Sequence, residues 1–454
     1  MQEEIIKKYN VAVPRYTSYP PANYFREFTP EEYLKAVDES NQSNNNNISF
    51  YLHMPFCRRL CHYCGCNSYQ MHRNGETERY LKAVHQEIEL VGDHLALGRR
   101  ISQIHYGGGS PTAIPAAELK ELNAHLLDPF PTIDRPEIAI ECHPGYLKEA
   151  DWQALIDCGF NRFSIGVQDL DPDVLKAVNR QPSAMPLSEI FQLLRQAGAS
   201  INLDFLFGLP LQTAESFRRN IETAVQLRPN RVTTFSYGHV PWVFERQRVL
   251  ERIGLPQPEE KARMFEEAKR VLIEAGYKPI GLDHFVLPDD ELYQALANKQ
   301  LHRNFQGYCT RRTTAQVYAF GVTGISQLDG AYAQNTKNIE EYISESAAGR
   351  ITTRKGYQLS HEEQLAREVI EMLMCNYHID WHELSQRTSV AIDELKQAVN
   401  YDTARLDEMQ ADGIITYNEA QLTITGSGNP FVRNVAAALD PLMQHTTRQF
   451  SKPI

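Results

Sequence analysis

Between residues 48 and 237, short apolar runs alternate with amphipathic stretches. The runs are "ISFYLHM" (48–54), "ISQIHY" (101–106), "EIAIEC" (137–142), "RFSIGV" (162–167), "INLDFLF" (201–207) and "RVTTFSY" (231–237). They are short and rich in β-branched and aromatic residues, which predicts strands. Amphipathic segments separate most of them; in "ETERYLKAVHQEIELVGDHL" (76–95) the apolar residues fall at helical spacing. Six strands with helical crossovers predict a parallel sheet with helices outside it. Six units fall short of the eight of a closed barrel, so the expectation is an α/β fold, a partial (β/α)6 barrel. From about Leu359 helical patterns dominate, with one hairpin expected at "IITYNEAQLTIT" (414–425). That combination predicts a mainly helical, winged-helix-like C-terminal domain. The polar run "NQSNNNN" (41–47) reads as a linker. The expected division is an N-terminal arm over 1–45, the barrel over 46–350 and the helical domain over 351–454.

Composition narrows the setting. With 454 residues, 42% of them hydrophobic, the chain can bury a large core in two or three domains. No run of about 18 apolar residues appears, so no membrane span is expected. The segment "MQEEIIKKYN" is charged and lacks an apolar signal core, which predicts a cytoplasmic protein. Thiols stay reduced there, so clustered cysteines are metal ligands or catalysts more often than disulfides. A net charge of −11 gives nucleic acid no global attraction. A small anionic substrate would need a local group of arginines. Nothing in the pattern calls for an obligate oligomer, so a monomer is expected.

The polar signals follow the strands: a cysteine loop, "GGGSP" (107–111), "ECHP" (141–144), "GVQD" (166–169) and "GLP" (208–210). All would gather at the C-terminal edge of the sheet, where folds of this class place their chemistry. The loop "CRRLCHYCGC" (57–66) holds four of the eight cysteines. Cys57, Cys61 and Cys64 have the spacing C-x3-C-x2-C. Three thiolates on one loop can bind three corners of a [4Fe–4S] cube and leave the fourth iron open. Zinc is the alternative, but it prefers four ligands in a closed site. Cys66 could be a fourth ligand, although C-x-C next to Cys64 strains a tetrahedron. The glycine run lets a ligand approach the backbone and is expected to offer free N–H groups. His53 and His105 lie inside strand patterns and read as structural histidines. Asp204, in an apolar strand, needs a partner, for which a ligand ribose or amine is the nearest expectation.

The cysteine loop, with Tyr63 before the third cysteine, resembles the signature of radical S-adenosylmethionine (SAM) enzymes. Further stretches narrow the likeness: "PRYTSYP" (14–20), "YLHMPFC" (51–57), "CGCN" (64–67), "NRFSIGVQD" (161–169), "HRNFQGY" (302–308), "AYAQN" (331–335), and the C-terminal "FVRN" and "QFS". Together they resemble the oxygen-independent coproporphyrinogen III dehydrogenase family from about Tyr9 to the C-terminus. The resemblance implies a radical SAM partial barrel that removes CO2 and hydrogen from two propionates of coproporphyrinogen III. The product would be protoporphyrinogen IX, in porphyrin and haem biosynthesis. It implies a [4Fe–4S] cluster, two SAM molecules and an electron donor such as a flavodoxin or ferredoxin. The cofactor carries the hard chemistry and the protein positions it.

Residue by residue, the likeness makes Cys57, Cys61 and Cys64 the cluster ligands. Tyr51, Gly108, Glu141 and Ile325 match contacts of the SAM on the cluster. Tyr63, Gly109, Ser110, Gln168, Arg180, Asp204 and Gly238 match contacts of a second SAM. Cys66 matches a fourth cysteine that is functional without ligating the cluster, and it is grouped with Tyr51 and Glu141 as catalytic. Arg15 and Arg303 are expected to hold substrate propionates; for Arg311 and Arg312 a solvated surface pair is the plainer reading. "PRYTSYP" would be a strap that covers the site and excludes water. Three positions depart from the family pattern: Ser110 for a threonine, His143 for an aspartate and Gly238 for an alanine-type residue. The rival readings are a haem-binding chaperone of the same superfamily, against which Cys66 and the strap argue, another radical SAM enzyme on a tetrapyrrole, and a zinc protein.

Overall fold

The computed structural model describes residues 3–72, 75–310, 316–444, 446–448 and 450. All six expected strands form: β1 (Asn47–Met54), β2 (Arg100–Gly108), β3 (Thr132–Cys142), β4 (Arg162–Gln168), β5 (Ser200–Phe207) and β6 (Arg231–Ser236). They lie side by side in sequence order, all parallel. A seventh parallel strand, β7 (Gln316–Phe320), joins on the outer side of β1. Antiparallel strands extend the sheet at both ends. Beyond β7 come 325–327, 331–335, 353–358 and 26–27; beyond β6 come 284–286 and 278–280. The strand order is linear, so the barrel is partial and open, as expected.

Helices cross between consecutive strands: α1 (Glu76–Gly92) after β1, and α2 (Pro258–Glu274) after β6, with others between. They bury the outer face of the sheet. On β1 the alternating Ile48, Phe50, Leu52 and Met54, each at most 2% exposed, form the face they cover. Val84, Ile88 and Val91 of α1 lie in the same core.

The expected domain limits need correction. Arg26 and Glu27 pair with Gly356 and Lys355 at the sheet edge. Helix 30–40 packs against the extension, with Tyr33 bonded to Ser326 (3.0 Å) and Ser40 to Tyr318 (2.6 Å). Strand 353–358 pairs with 331–335. The sheet unit thus reaches back to Arg26 and on to Gln358, past the limits of 45 and 350. The run at 41–47 is a tied turn rather than a loose linker: Asn41 Nδ2 donates to the His94 carbonyl (2.7 Å) and its Oδ1 accepts from Ala96 N–H (3.0 Å).

The C-terminal unit begins at α3 (His361–Asn376), started by a capping box between Ser360 and Glu363. The expected hairpin forms from 415–417 and 421–424, and strand 378–380 adds to it. Its core takes in Tyr9, Tyr16 and Tyr19 from the N-terminal segment. "FVRN" explains the seating: Arg433 Nε donates to the Pro14 carbonyl (2.9 Å) and Asn434 Nδ2 to the Tyr9 carbonyl (2.8 Å). "QFS" lies mostly outside the described residues.

Candidate active site

The cysteine loop leaves the C-terminal end of β1 and is fastened on both sides. Tyr69 N–H donates to the Pro55 carbonyl and Met71 N–H to the Cys57 carbonyl, both at 2.8 Å. His62 N–H reaches the Val178 carbonyl (3.0 Å), and Asn179 Nδ2 the Leu60 carbonyl (2.8 Å). From the segment after β6, Gln247 Nε2 donates to the Tyr63 carbonyl (2.9 Å). Arg246 reaches the carbonyls of Cys64 (3.1 Å) and Cys66 (3.3 Å). Cys61 is buried, Cys57 and Cys64 are half-buried, and Cys66 is exposed. Cys66 N–H donates to Cys64 Sγ (3.4 Å).

The donor set fits a cluster. Burial and the neighbouring thiols push the Cys57 thiol up to about 12, while the side-chain hydrogen bond with Cys66 leads in drawing Cys64 down to about 6. Crowded thiols of this kind ionise together only against a cationic partner. Among the described residues no three His, Cys, Asp or Glu side chains converge on one metal ion. A cube asks for something else, one thiolate for each of three separate irons. Cys57, Cys61 and Cys64 on a pinned loop could supply that, with Cys66 exposed beside Cys64.

The glycine run lies beside this loop because nothing larger fits. A Cβ on Gly107 would come 2.8 Å from Glu141 Oε1, one on Gly108 2.7 Å from the His53 ring, and one on Gly109 2.7 Å from the Pro55 backbone. The expected free N–H groups are corrected at two positions: Gly109 N–H is spent on the Met54 carbonyl (2.8 Å) and Ser110 N–H on the Phe56 carbonyl (3.0 Å). Tyr51, His105 and Glu141 stand on adjacent strands. His105 Nε2 is 3.1 Å from Glu141 Oε1, and its ring stacks on Tyr51 at 5.9 Å. Tyr51 Oη meets His53 Nδ1 (3.1 Å), and His53 Nε2 meets the Asn67 carbonyl (3.0 Å). Both histidines are bonded within the fold, as structural histidines are. Glu141 keeps its side chain about half exposed, 45%. Ile325 opens the strand next to β7 and is half-buried.

A second set lies over β4. Arg180 Nη1 donates to Tyr63 Oη (3.2 Å) and lies 3.5 Å from Cys61 Sγ, while Nη2 donates to the Gly166 carbonyl. Gly166 has no room for a Cβ, which would meet Gln168 Nε2 at 2.8 Å. Arg180, Gln168, Tyr63 and Cys61 therefore form one group. His143, buried, accepts Gly145 N–H on Nδ1 (3.1 Å), which places its own proton on Nε2. Burial, with Arg180 and Arg58 adding, pulls it down to about 3, so it is neutral at pH 7. His143 is thus a neutral donor in the field of Arg180. Asp204 corrects its expectation: Ser164 Oγ (2.6 Å) and Asn202 Nδ2 (2.7 Å) already satisfy it. Gly238 is exposed, and its carbonyl accepts from Gln247 (3.3 Å).

Arg303 and Arg15 are the arginines expected to hold substrate. Arg303 lies 4.7 Å from the Tyr308 ring centroid and donates to Tyr308 Oη (3.2 Å). Arg15 is exposed on the strap, and its charge is felt at Asp283, Lys261 and Arg433. Arg311 and Arg312 lie outside the described residues. Sequence reasoning missed Asn179, Arg246, Gln247 and Lys261. They serve through contacts far along the chain, and no local spacing marks them.

The comparisons agree with this geometry. Residues 51–224 match the model of the Radical SAM superfamily, and residues 359–431 that of the HemN C-terminal domain. An oxygen-independent coproporphyrinogen III oxidase of Synechocystis sp. is 36% identical over 99% of this chain and 97% of its own length. The Escherichia coli protein of that name is 34% identical over 99% and 98%. The solved structure of coproporphyrinogen III oxidase (HemN) from Escherichia coli, described as a radical SAM enzyme, superposes with a TM-score of 0.86 over 94% of this chain and 97% of its own.

Proposed function

This chain belongs to the oxygen-independent coproporphyrinogen III oxidase family, and on that premise we propose a role for each part of its site. The protein is a radical SAM enzyme that converts two propionates of coproporphyrinogen III to vinyl groups by oxidative decarboxylation. When bound, the [4Fe–4S] cluster and SAM supply a carbon radical strong enough to take hydrogen from an unactivated C–H bond. Cys57, Cys61 and Cys64 hold the cluster, and the loop's fastenings keep the three sulfurs in place.

Tyr51, Gly108, Glu141 and Ile325 line the place for SAM beside the open corner. Glu141 presents a carboxylate to amine or hydroxyl donors, and His105 fixes its orientation. Gly108 keeps the approach clear. Tyr63, Gln168 and Arg180, with Gly109, Ser110 and Gly238, form the place for a second SAM. Arg180 offers a planar fork to a carboxylate there. Arg15 and Arg303 grip substrate propionates at the rim, and the strap keeps water from the reacting carbon. Cys66, exposed next to Cys64, is held near the open corner without being needed as a ligand. An external donor of the flavodoxin or ferredoxin kind supplies the electron to a monomeric cytoplasmic enzyme.

The observation that carries this reading is the pinned three-cysteine loop facing Tyr51 and Glu141 across the glycine run. The test is anaerobic turnover of the reconstituted protein with SAM, a strong reductant and coproporphyrinogen III. Two successive losses of CO2 and hydrogen, matched by 5′-deoxyadenosine, are expected by mass spectrometry. SAM cleavage with no change in the tetrapyrrole would move the substrate elsewhere.

A further inference from the structure

Lys261 stands in the first turn of α2, but its stem does not run out to water. It lies across Gly208 of "GLP", where a Cβ would come 2.8 Å from Cε and 3.0 Å from Cδ. Gly208 has φ +89, so glycine is favoured there on backbone grounds as well. The ammonium donates to the Tyr237 carbonyl (2.6 Å) and sits 6.0 Å from the centroid of the Phe207 ring. The side chain therefore bridges the C-terminal ends of β5 and β6, on the edge where the site lies.

No carboxylate answers it. Burial and the charge of Arg15 both act against the ammonium. Among the described residues neither Lys261 nor Arg15 has an ion pair. The charged groups near Arg15 are Arg433 and Asp283, and Arg303 acts on the same Asp283. Asp283 is already engaged by His284 Nδ1 at 2.6 Å. In a chain of net charge −11, this leaves a local surplus of positive charge around one half-buried lysine. Like charges held near a half-buried ammonium disfavour it unless an anion joins them.

We propose that Lys261, with Arg15, seats one carboxylate of the tetrapyrrole substrate, and that this carboxylate belongs to a propionate that survives the reaction. The inference rests on the functional reading above. The choice of propionate follows from charge. A carboxylate that leaves as neutral CO2 loses its charge on the way, so a cation gripping it stabilises the ground state more than the transition state. A cation gripping a retained propionate stabilises both alike and orients the ring.

Two stable probes separate the possibilities: coproporphyrin III, with all four propionates, and protoporphyrin IX, with only the two retained ones. Their binding to the wild type, Lys261→Met and Lys261→Arg is followed by fluorescence titration at low and high salt. Lys261→Met should weaken both porphyrins by roughly tenfold and flatten the salt dependence. Lys261→Arg should stay within about threefold of the wild type, which separates lost charge from a lost fold. SAM binding should not change. Equal affinities in wild type and Lys261→Met would overturn the proposal, as would a loss confined to SAM. A loss confined to coproporphyrin III would overturn the assignment to a retained propionate. A wild type that binds neither porphyrin would fail the functional reading itself.

Discussion

At the residue scale the cysteine loop separates ligand from neighbour. Cys57, Cys61 and Cys64 differ in burial but share one pinned loop, whereas Cys66 is exposed and contributes its backbone N–H to Cys64 Sγ. Replacing any of the first three by Ala should abolish the cluster, read as loss of iron, sulfide and visible absorbance, and with it all SAM cleavage. Replacing Cys66 by Ala should leave iron and sulfide near the wild-type level and lower turnover of the tetrapyrrole. Complete loss of iron from that variant would make Cys66 a ligand. The cysteine spacing was legible in the sequence because a loop that could bind one compact group must be local. Arg246 and Gln247, which hold the loop's carbonyls, were not, because they come from the far side of the sheet. Asp204 taught a different lesson. Its need for partners was read correctly, but those partners, Ser164 and Asn202, lie on the neighbouring strand and its own, where a strand pattern does not reveal who pairs with whom.

At the element scale the long, apolar, parallel strands announced themselves and the short edge strands did not. The extension at 325–327, 331–335 and 353–358 is antiparallel and follows a β7 that the pattern also missed. Glu87 ties α1 to this extension. Its Oε1 accepts from Asn335 Nδ2 (2.6 Å), and its Oε2 from Gly321 N–H (2.8 Å) and Tyr342 Oη (2.6 Å). The three donors favour the carboxylate, but burial outweighs them and lifts the group from 4.5 to about 7. The folded state therefore binds the proton more tightly than the unfolded chain. Stability from this group is fully present below pH 4.5 and is lost as the pH rises towards 7, by at most about 3 kcal/mol. Chemical denaturation of the wild type between pH 5 and 8 should show that decline, and Glu87→Gln should show less of it. Parallel pH profiles for the two proteins would mean that Glu87 titrates as it does in the unfolded chain.

At the scale of the whole molecule the N-terminal strap joins the two units. "PRYTSYP" was legible as a rigid, aromatic segment, but what it packs on was not, since its partners lie more than three hundred residues away. Tyr16 Oη and Tyr19 Oη both donate to Asp440, at 2.8 and 3.0 Å, and the Tyr19 carbonyl accepts from Tyr332 Oη of the sheet (3.1 Å). One buried carboxylate thus fastens two buried hydroxyls, and Arg15 rides between strap and rim. Asp440→Ala would leave both hydroxyls without their acceptor, at a cost of about 3 kcal/mol. Asp440→Asn keeps an acceptor oxygen and should cost less. Because Asp440 takes both strap hydroxyls, the loss should fall on the strap before the rest of the fold. Limited proteolysis should then cut Asp440→Ala between residues 10 and 25 well before the wild type, while the sheet unit resists. The loosened strap should raise KM for the tetrapyrrole more than it lowers SAM binding, since the strap carries Arg15, proposed for a propionate, and none of the residues proposed for SAM. A cleavage pattern identical to the wild type would show that Asp440 does not fasten the strap.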